Sequence, residues 1–205
     1  MRALYLVDHD LYVFDLDGTL LDTLPDITRA LNTALAAAAL GTRTHDEVRS
    51  FLGEGARELV GKAAGWPHTH EGLDALVEAY RHCYRQALVV DTRPYPGVVE
   101  TLARITAPVA VLTNKRGHEA RLVLEGSGLR GFVAVLGDGD GHPRKPDPTA
   151  LLHLVKDARR PVYVGDSHVD AETARRAGVD FVFCDWGYGE SGFGRRISRF
   201  SDIIA

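Results

Sequence analysis

Two aspartates one residue apart, Asp15 and Asp17 in Phe14-Asp15-Leu16-Asp17-Gly18-Thr19, are the first residues of the chain whose spacing suits chemistry. At a strand end, residues i and i+2 project to the same side, so the pair can address one bound group together. Adjacent carboxylates repel each other unless a cation lies between them. A small hard cation such as Mg²⁺ takes a few carboxylate oxygens together with water and substrate phosphate, and Asp166 and Asp170 can complete the ligand set Asp15, Asp17, Asp166 and Asp170. A carboxylate is also a competent nucleophile toward phosphorus, and an aspartyl-phosphate divides one difficult displacement into two easier ones. On this scheme Asp15 attacks, while Asp17 protonates the leaving oxygen and then deprotonates the attacking water. Thr113 and the backbone amide of Asn114, at the start of the next helix, receive the phosphoryl oxygens, and Lys145 supplies positive charge.

Each of these residues also has a plainer reading. An isolated Asp-x-Asp-Gly is commonly an acidic turn, a lysine in a loop is usually solvated, and Asp170 suits the N-cap of a helix. The decision rests on the elements that carry them. Five short apolar segments rich in β-branched or aromatic residues read as strands buried on both faces: Leu11 to Phe14, Pro108 to Leu112, Phe132 to Leu136, Pro161 to Val164 and Phe181 to Cys184. Helical patterns over His118 to Gly126, Pro148 to Lys156 and Asp170 to Ala177 separate the later ones, which predicts an α/β fold with a parallel sheet flanked by helices. Parallel strands deliver their C-terminal ends to one edge, where open α/β sheets place their sites. Asp15 and Asp17, Thr113 to Lys115, Lys145, and Asp166 to Asp170 all follow such ends, so they are expected to converge.

Residues 23–92 break the alternation and carry only helical periodicity, as in Leu73, Leu76, Val77, Tyr80 and Tyr84. Pro25 and Asp26 suit a helix start, Thr44 and Glu47 a capping box, and the run Ala34 to Ala39 a helix. The expected organisation is a catalytic core from residues 1–22 and 93–205, with a helical bundle over 23–92 inserted after the first catalytic strand and placed to act as a lid. The chain re-enters the core through Pro94-Tyr95-Pro96-Gly97.

The bulk composition narrows the partners. With 205 residues the chain accommodates one α/β domain and a smaller insert, and its 45% hydrophobic and 25% charged residues are ordinary for a globular protein. A formal net charge of −4 offers no global attraction to nucleic acid or an anionic membrane. The two cysteines, Cys83 and Cys184, lie far apart in apolar surroundings, a pattern of buried thiols in a reducing compartment. The apolar stretch Ala3 to Val7 is interrupted by Asp8, His9 and Asp10 short of a signal peptide or membrane span. A soluble cytoplasmic protein, monomer or homodimer, is expected.

Four segments together resemble the haloacid dehalogenase superfamily, and its phosphoglycolate phosphatase-like branch in particular. They are Asp15-Leu16-Asp17-Gly18-Thr19-Leu20, Leu112-Thr113-Asn114-Lys115, Lys145-Pro146-Asp147-Pro148, and Gly165-Asp166-Ser167 with Asp170, Ala174, Ala177 and Gly178. The resemblance covers nearly the whole chain. It implies a Rossmann-like core, a helical cap inserted after the first motif, Mg²⁺ dependence, an aspartyl-phosphate intermediate, and a small phosphorylated metabolite as substrate. Branch-like segments are Phe51-Leu52-Gly53-Glu54-Gly55-Ala56-Arg57, Tyr95-Pro96-Gly97-Val98 and Trp186-Gly187-Tyr188-Gly189. On these motifs Gly18, Thr19, Asn114 and Lys115 are expected at the substrate, with Gly53, Gly55 and Arg57 contributed by the cap. Arginine binds carboxylates in a bidentate manner, so Arg57 is the expected contact for a carboxylate on 2-phosphoglycolate.

Asp17 disfavours the dehalogenase and phosphonate-hydrolase branches, which lack an acid there. The β-phosphoglucomutase branch keeps that acid, but its first motif usually continues Gly-Val-Ile where this chain has Gly18-Thr19-Leu20. A phosphomutase and a non-catalytic binding module on the same fold are the alternatives. Other patterns fail on their chemistry. Gly55 to Lys62 has the wrong glycine spacing for a phosphate-binding loop and Ala63 where Ser or Thr is needed. Gly187-x-Gly189-x-x-Gly192 follows the last expected strand and reads as a loop. The stretch Asp138, Asp140, Gly141 lacks the turn glycine and closing glutamate of a calcium loop, and His68 with His70 has no third metal ligand.

Overall fold

The computed structural model describes residues 9–204. The apolar stretch Ala3 to Val7 and the expected start of the core at residue 1 lie outside the described residues. Six strands form one parallel sheet in the order β5-β4-β1-β6-β7-β8: β1 (Leu11–Phe14), β4 (Val109–Arg116), β5 (Ala134–Asp138), β6 (Pro161–Gly165), β7 (Asp180–Cys184) and β8 (Arg195–Ile197). Helices α5 (Val98–Leu102), α6 (Gly117–Gly126), α7 (Thr149–Val155) and α8 (His168–Ala177) belong to the same sheet domain, and a 3₁₀ turn over Phe200–Ile204 ends it.

The apolar runs in the strands are continuous because both sheet faces are covered. Along β1, Tyr12 and Phe14 point into one apolar cluster with Val111, Val164 and Phe200, whereas Leu11 and Val13 point into another with Leu151, Tyr163 and Ala174. β1 lies centrally, with Phe14 beside Val111 of β4 and Val164 of β6. From β1 the chain crosses outward to β4 and β5, then returns to build β6, β7 and β8 on the other side. The strand-order reversal therefore falls beside β1, the place where a crevice opens at the C-terminal edge.

Between β2 (Leu21–Asp22) and β3 (Arg93–Pro94) the chain forms α1 (Leu24–Ala37), α2 (His45–Ser50), α3 (Ala56–Ala64) and α4 (Leu73–Gln86). The alanine run is helical only to Ala37, and Ala39 adopts a left-handed φ of 57°. Thr44 and Glu47 close a reciprocal capping box at α2, and the five apolar residues predicted on one face of α4 are all buried. Asp26, in the first turn of α1, is fully buried. Its carboxylate accepts hydrogen bonds from the amides of Val90, Asp91 and Thr92 and from the Thr92 hydroxyl. Burial raises that carboxyl, but the Thr92 hydroxyl and these amides outweigh burial and hold it below its ordinary value. One side chain thus ties the entrance of the insert to its exit, where β2 and β3 pair antiparallel.

The elements differ from the sequence reading in several places, β5 among them, which runs over Ala134–Asp138 where Phe132 to Leu136 is expected. β4 runs on to Arg116 through a register shift between Leu112 and Arg116, so Thr113 to Lys115 belong to an irregular strand end and α6 begins only at Gly117. The Asn114 amide is consequently not at a helix start. The pair β2/β3 and the edge strand β8 were not foreseen: two- or three-residue strands carry too little pattern to register. The N-cap of α8 is Ser167, not Asp170, which lies at the third helical position and returns the bond to Ser167.

Candidate active site

The C-terminal ends of β1, β4 and β6, together with the loop after β5, bring Asp15, Thr113, Asp166 and Lys145 to one cleft of about 440 Å³, with Asp17, Asn114 and Lys115 also in its lining. Asp15 follows directly on Phe14 and is locked to the neighbouring strand by its amide, which donates to the Val164 carbonyl at 2.9 Å. Lys145, buried beneath the cleft, places its ammonium 2.9 Å from Asp15 Oδ1 and 2.6 Å from Asp170 Oδ1, and donates to the Tyr163 hydroxyl at 2.9 Å. Burial disfavours its charge, but Asp15 and Asp170 reverse that and raise the ammonium above its ordinary value. The plain reading of Lys145 as a solvated loop residue is excluded by this environment.

Three carboxylates, Asp15, Asp166 and Asp170, offer oxygens that all lie within 4.8 Å of one another. Burial and then the charge of Asp170 raise the Asp15 carboxyl well above its ordinary value, with Lys145 opposing. Burial and Asp170 likewise push Asp166 up to about 7. Asp170 goes the other way: Lys145 overcomes burial and keeps it ionised. Although Lys145 is near, Asp15 Oδ1 receives no hydrogen bond of acceptable geometry. An under-bonded carboxylate oxygen and a crowded acidic donor set fit a hard divalent cation, which takes oxygen ligands and relieves the repulsion.

Not every expected ligand joins this cluster. The Asp17 carboxylate turns away from it, accepting from Thr23 Oγ1 at 2.7 Å and pairing with Lys115 Nζ at 3.0 Å. The i, i+2 argument for a shared side holds on a regular strand, but β1 ends at Phe14 and Gly18 takes a φ of 89° in the turn that follows. Asp170 has both oxygens engaged, Oδ1 by Lys145 and Tyr163 and Oδ2 by the amide and hydroxyl of Ser167. It belongs to the carboxylate cluster with Asp15 and Asp166 and pairs with Lys145 at 2.6 Å.

The residues expected at the substrate are divided in the same way. Thr19 is fully buried and donates its hydroxyl to Asp166 Oδ1 at 2.9 Å. A Cβ at Gly18 would stand 2.3 Å from Asp166 Oδ2, so this glycine lets the turn pack against that carboxylate. Asn114 uses its side chain as a clamp, donating to the carbonyls of Gly53 and Lys145 and accepting from the Lys145 amide. Gly53 and Gly55 line the cleft. Arg57 does not: its guanidinium pairs with Asp74 and donates to the His68 carbonyl. It stands two residues after Gly55, but α3 starts at Ala56 and its half-buried side chain is directed to Asp74 rather than into the cleft.

Sequence reasoning overlooked Tyr188 and Arg49. Tyr188 donates its amide to Asp166 Oδ2 at 2.7 Å, while its hydroxyl accepts from the Thr23 and Leu24 amides and donates to Asp22. Arg49, from α2, holds the carbonyls of Gly187 and Tyr188. The segment Trp186-Gly187-Tyr188-Gly189 had signalled a branch likeness, but nothing in it announced a contact to residues more than 160 positions away.

Residues 12–184 match the family model for haloacid dehalogenase-like hydrolases. The phosphoglycolate phosphatase of Caulobacter vibrioides is 39% identical over 93% of this chain and 85% of its own, and that of Mesorhizobium japonicum 37% identical over 86% and 82%. The crystal structure of a predicted phosphoglycolate phosphatase from Haemophilus somnus superposes with a TM-score of 0.86 at 28% identity, covering 95% of this chain and 96% of that one.

Proposed function

The chain belongs to the haloacid dehalogenase-like hydrolases and is a phosphatase, and on that footing we propose that it hydrolyses a small phosphate monoester, 2-phosphoglycolate first among candidates, with Mg²⁺ as cofactor. The observation that carries the reading is Asp15. It is a buried carboxylate at the end of the central strand, facing the cleft, with an oxygen free of hydrogen bonds and a lysine beside it. Asp15 and Asp166 would hold the Mg²⁺, with Asp170 as the third carboxylate of the cluster. When bound, the ion neutralises the phosphoryl oxygens and orients the phosphorus toward the nucleophile.

The remaining steps belong to the chain's own groups. Asp15 attacks phosphorus, the bond from phosphorus to the ester oxygen breaks, and that oxygen takes a proton from Asp17. Asp17 then removes a proton from water, which attacks the aspartyl-phosphate, releases inorganic phosphate and restores the Asp15 carboxylate. Thr113 and the backbone beyond β1 receive phosphoryl oxygens, and Lys145 opposes the upward pull of burial and Asp170 on the Asp15 carboxyl and orients it. The insert over 23–92 acts as a cap on the core. It brings Gly53 and Gly55 over the cleft and excludes water.

A cytoplasmic enzyme, monomer or homodimer, acting without nucleic acid or membrane is the proposed setting. No described helix is long and apolar enough to cross a membrane. The test is phosphate release from 4-nitrophenyl phosphate and from 2-phosphoglycolate, with and without Mg²⁺, by the wild type and by Asp15→Asn. Metal-dependent release abolished by Asp15→Asn is expected. Release that survives the substitution overturns the role of Asp15. Faster isomerisation than hydrolysis of β-glucose 1-phosphate would transfer the chain to the mutase alternative.

A further inference from the structure

The lining of the cleft also carries a group of polar atoms that the proposed chemistry does not use. On α4, Arg81 Nε and the Tyr84 hydroxyl are buried without a hydrogen bond of acceptable geometry, the hydroxyl standing beside Lys115, and Glu119 Oε1 of the core is buried and unpartnered as well; Tyr84 is 1% exposed. Both residues line the same cleft as Asp15, as do Lys115, Arg116 and Glu119 of the core. A buried unpaired donor is costly, and an α4 face with two of them, three positions apart on the helix, is poorly explained as packing alone.

The charges of this group leave a surplus of one sign. Arg81 gives one outer nitrogen to Glu78 at 2.6 Å, while its Nε has no hydrogen-bond partner. Lys115 pairs with Asp17 at 3.0 Å and stands 4.6 Å from the centre of the Tyr84 ring, close to the hydroxyl but unaligned with it. Glu119 has Arg85 at 3.7 Å. Arg116 has no carboxylate within ion-pairing distance among the described residues. Glu119 Oε1 nevertheless stays buried without a hydrogen-bond partner, and the charge of Arg116 reaches Glu78. Through Lys115 the group adjoins Asp17, so whatever it binds is joined to the leaving-group side of the reaction.

We propose that Arg81, Tyr84 and Arg116 form a subsite for a carboxylate at the far end of the phosphorylated substrate. Two guanidinium groups and a phenol hydroxyl present several donors to a small planar anion, and arginine pairs with carboxylate in a fixed fork geometry. This subsite takes the place of Arg57, which the fold directs to Asp74. It rests on the phosphatase reading and deepens it: these residues would be what separates 2-phosphoglycolate from a monoester without a second anion.

The experiment compares kcat/KM for 2-phosphoglycolate with that for ethyl phosphate, a probe of similar size without the carboxylate. Arg116→Met is the cleanest variant because the side chain stands at an exposed strand end. The ratio is expected to fall about tenfold or more in Arg116→Met and in Arg81→Met, chiefly through KM, with partial recovery in Arg81→Lys and a smaller fall in Tyr84→Phe. A ratio unchanged from wild type in Arg116→Met, Arg81→Met and Tyr84→Phe overturns the subsite. If the wild type hydrolyses neither ester, the phosphatase reading is what has failed. The subsite is then judged by calorimetric titration of 2-phosphoglycolate and ethyl phosphate into wild type and Arg116→Met. Selective weakening of the carboxylated probe supports it, and equal affinities in the two proteins overturn it.

Discussion

Replacing Tyr188 by phenylalanine removes one oxygen, keeps the ring, and cuts a connection between core and insert. That hydroxyl accepts from the amides of Thr23 at 2.6 Å and Leu24 at 2.9 Å and donates to Asp22 Oδ1 at 2.8 Å. It is the main cap of α1. Thr23 occupies the N-cap position but makes no capping bond, because its hydroxyl is given to Asp17, and the other acceptor nearby is Asp22 Oδ1 at 3.3 Å from the Leu24 amide. Loss of an N-cap costs about 1 kcal/mol, and loss of a hydrogen bond to a carboxylate about 1.5–3 kcal/mol. Partial access of water favours the low end, so the sum is about 2–3 kcal/mol. For a chain of this length each kcal/mol lowers Tm by about 2–4 °C, giving a fall of about 4–12 °C. Thermal and urea unfolding followed by circular dichroism measure it. The Tyr188 amide still holds Asp166 in the variant, so the loss should be larger in stability than in turnover. A Tm within about 1 °C of wild type would show that the hydroxyl does not cap α1, and the reasoning fails.

The other expectations concern the carboxylate cluster. Asp166 has a folded-state value raised to about 7 from 3.8, so its contribution to stability is present below about pH 4 and is lost as pH rises through about 7. The metal-free protein should therefore melt lower at pH 8 than at pH 5, with Mg²⁺ restoring more at pH 8; equal effects of Mg²⁺ at both pH values would contradict this. Lys145→Met leaves Asp15 and Asp170 buried without their cation and should cost about 3–5 kcal/mol in urea unfolding, partly recovered by adding Asp170→Asn. A cost below about 1 kcal/mol would mean the ammonium is not what holds the acids. Gly18→Ala drives a Cβ against Asp166 at a left-handed φ of 89° and should weaken Mg²⁺ binding by titration calorimetry. Unaltered metal affinity would remove the role given to that close approach.

Much of this protein is legible one segment at a time. The apolar strand runs, the helical periodicity of the insert, and the polar residues placed just after the strands each depend on a few neighbouring positions. They place Asp15, Thr113, Lys145 and Asp166 at one sheet edge, because parallel strands must end together. Residues whose direction is set by an irregular turn or by distant packing were not legible. Asp17 faces Lys115 and Thr23 because the chain leaves strand geometry after Phe14, and Arg57 is directed to Asp74 because α3 begins at Ala56. Tyr188 caps a helix that starts 164 positions earlier, a contact that no local pattern contains. The sequence by itself determined that Asp15, Thr113, Lys145 and Asp166 reach one cleft. Tertiary structure decided which way they turn there, since a side chain's direction depends on backbone angles and neighbours that only the packed chain supplies.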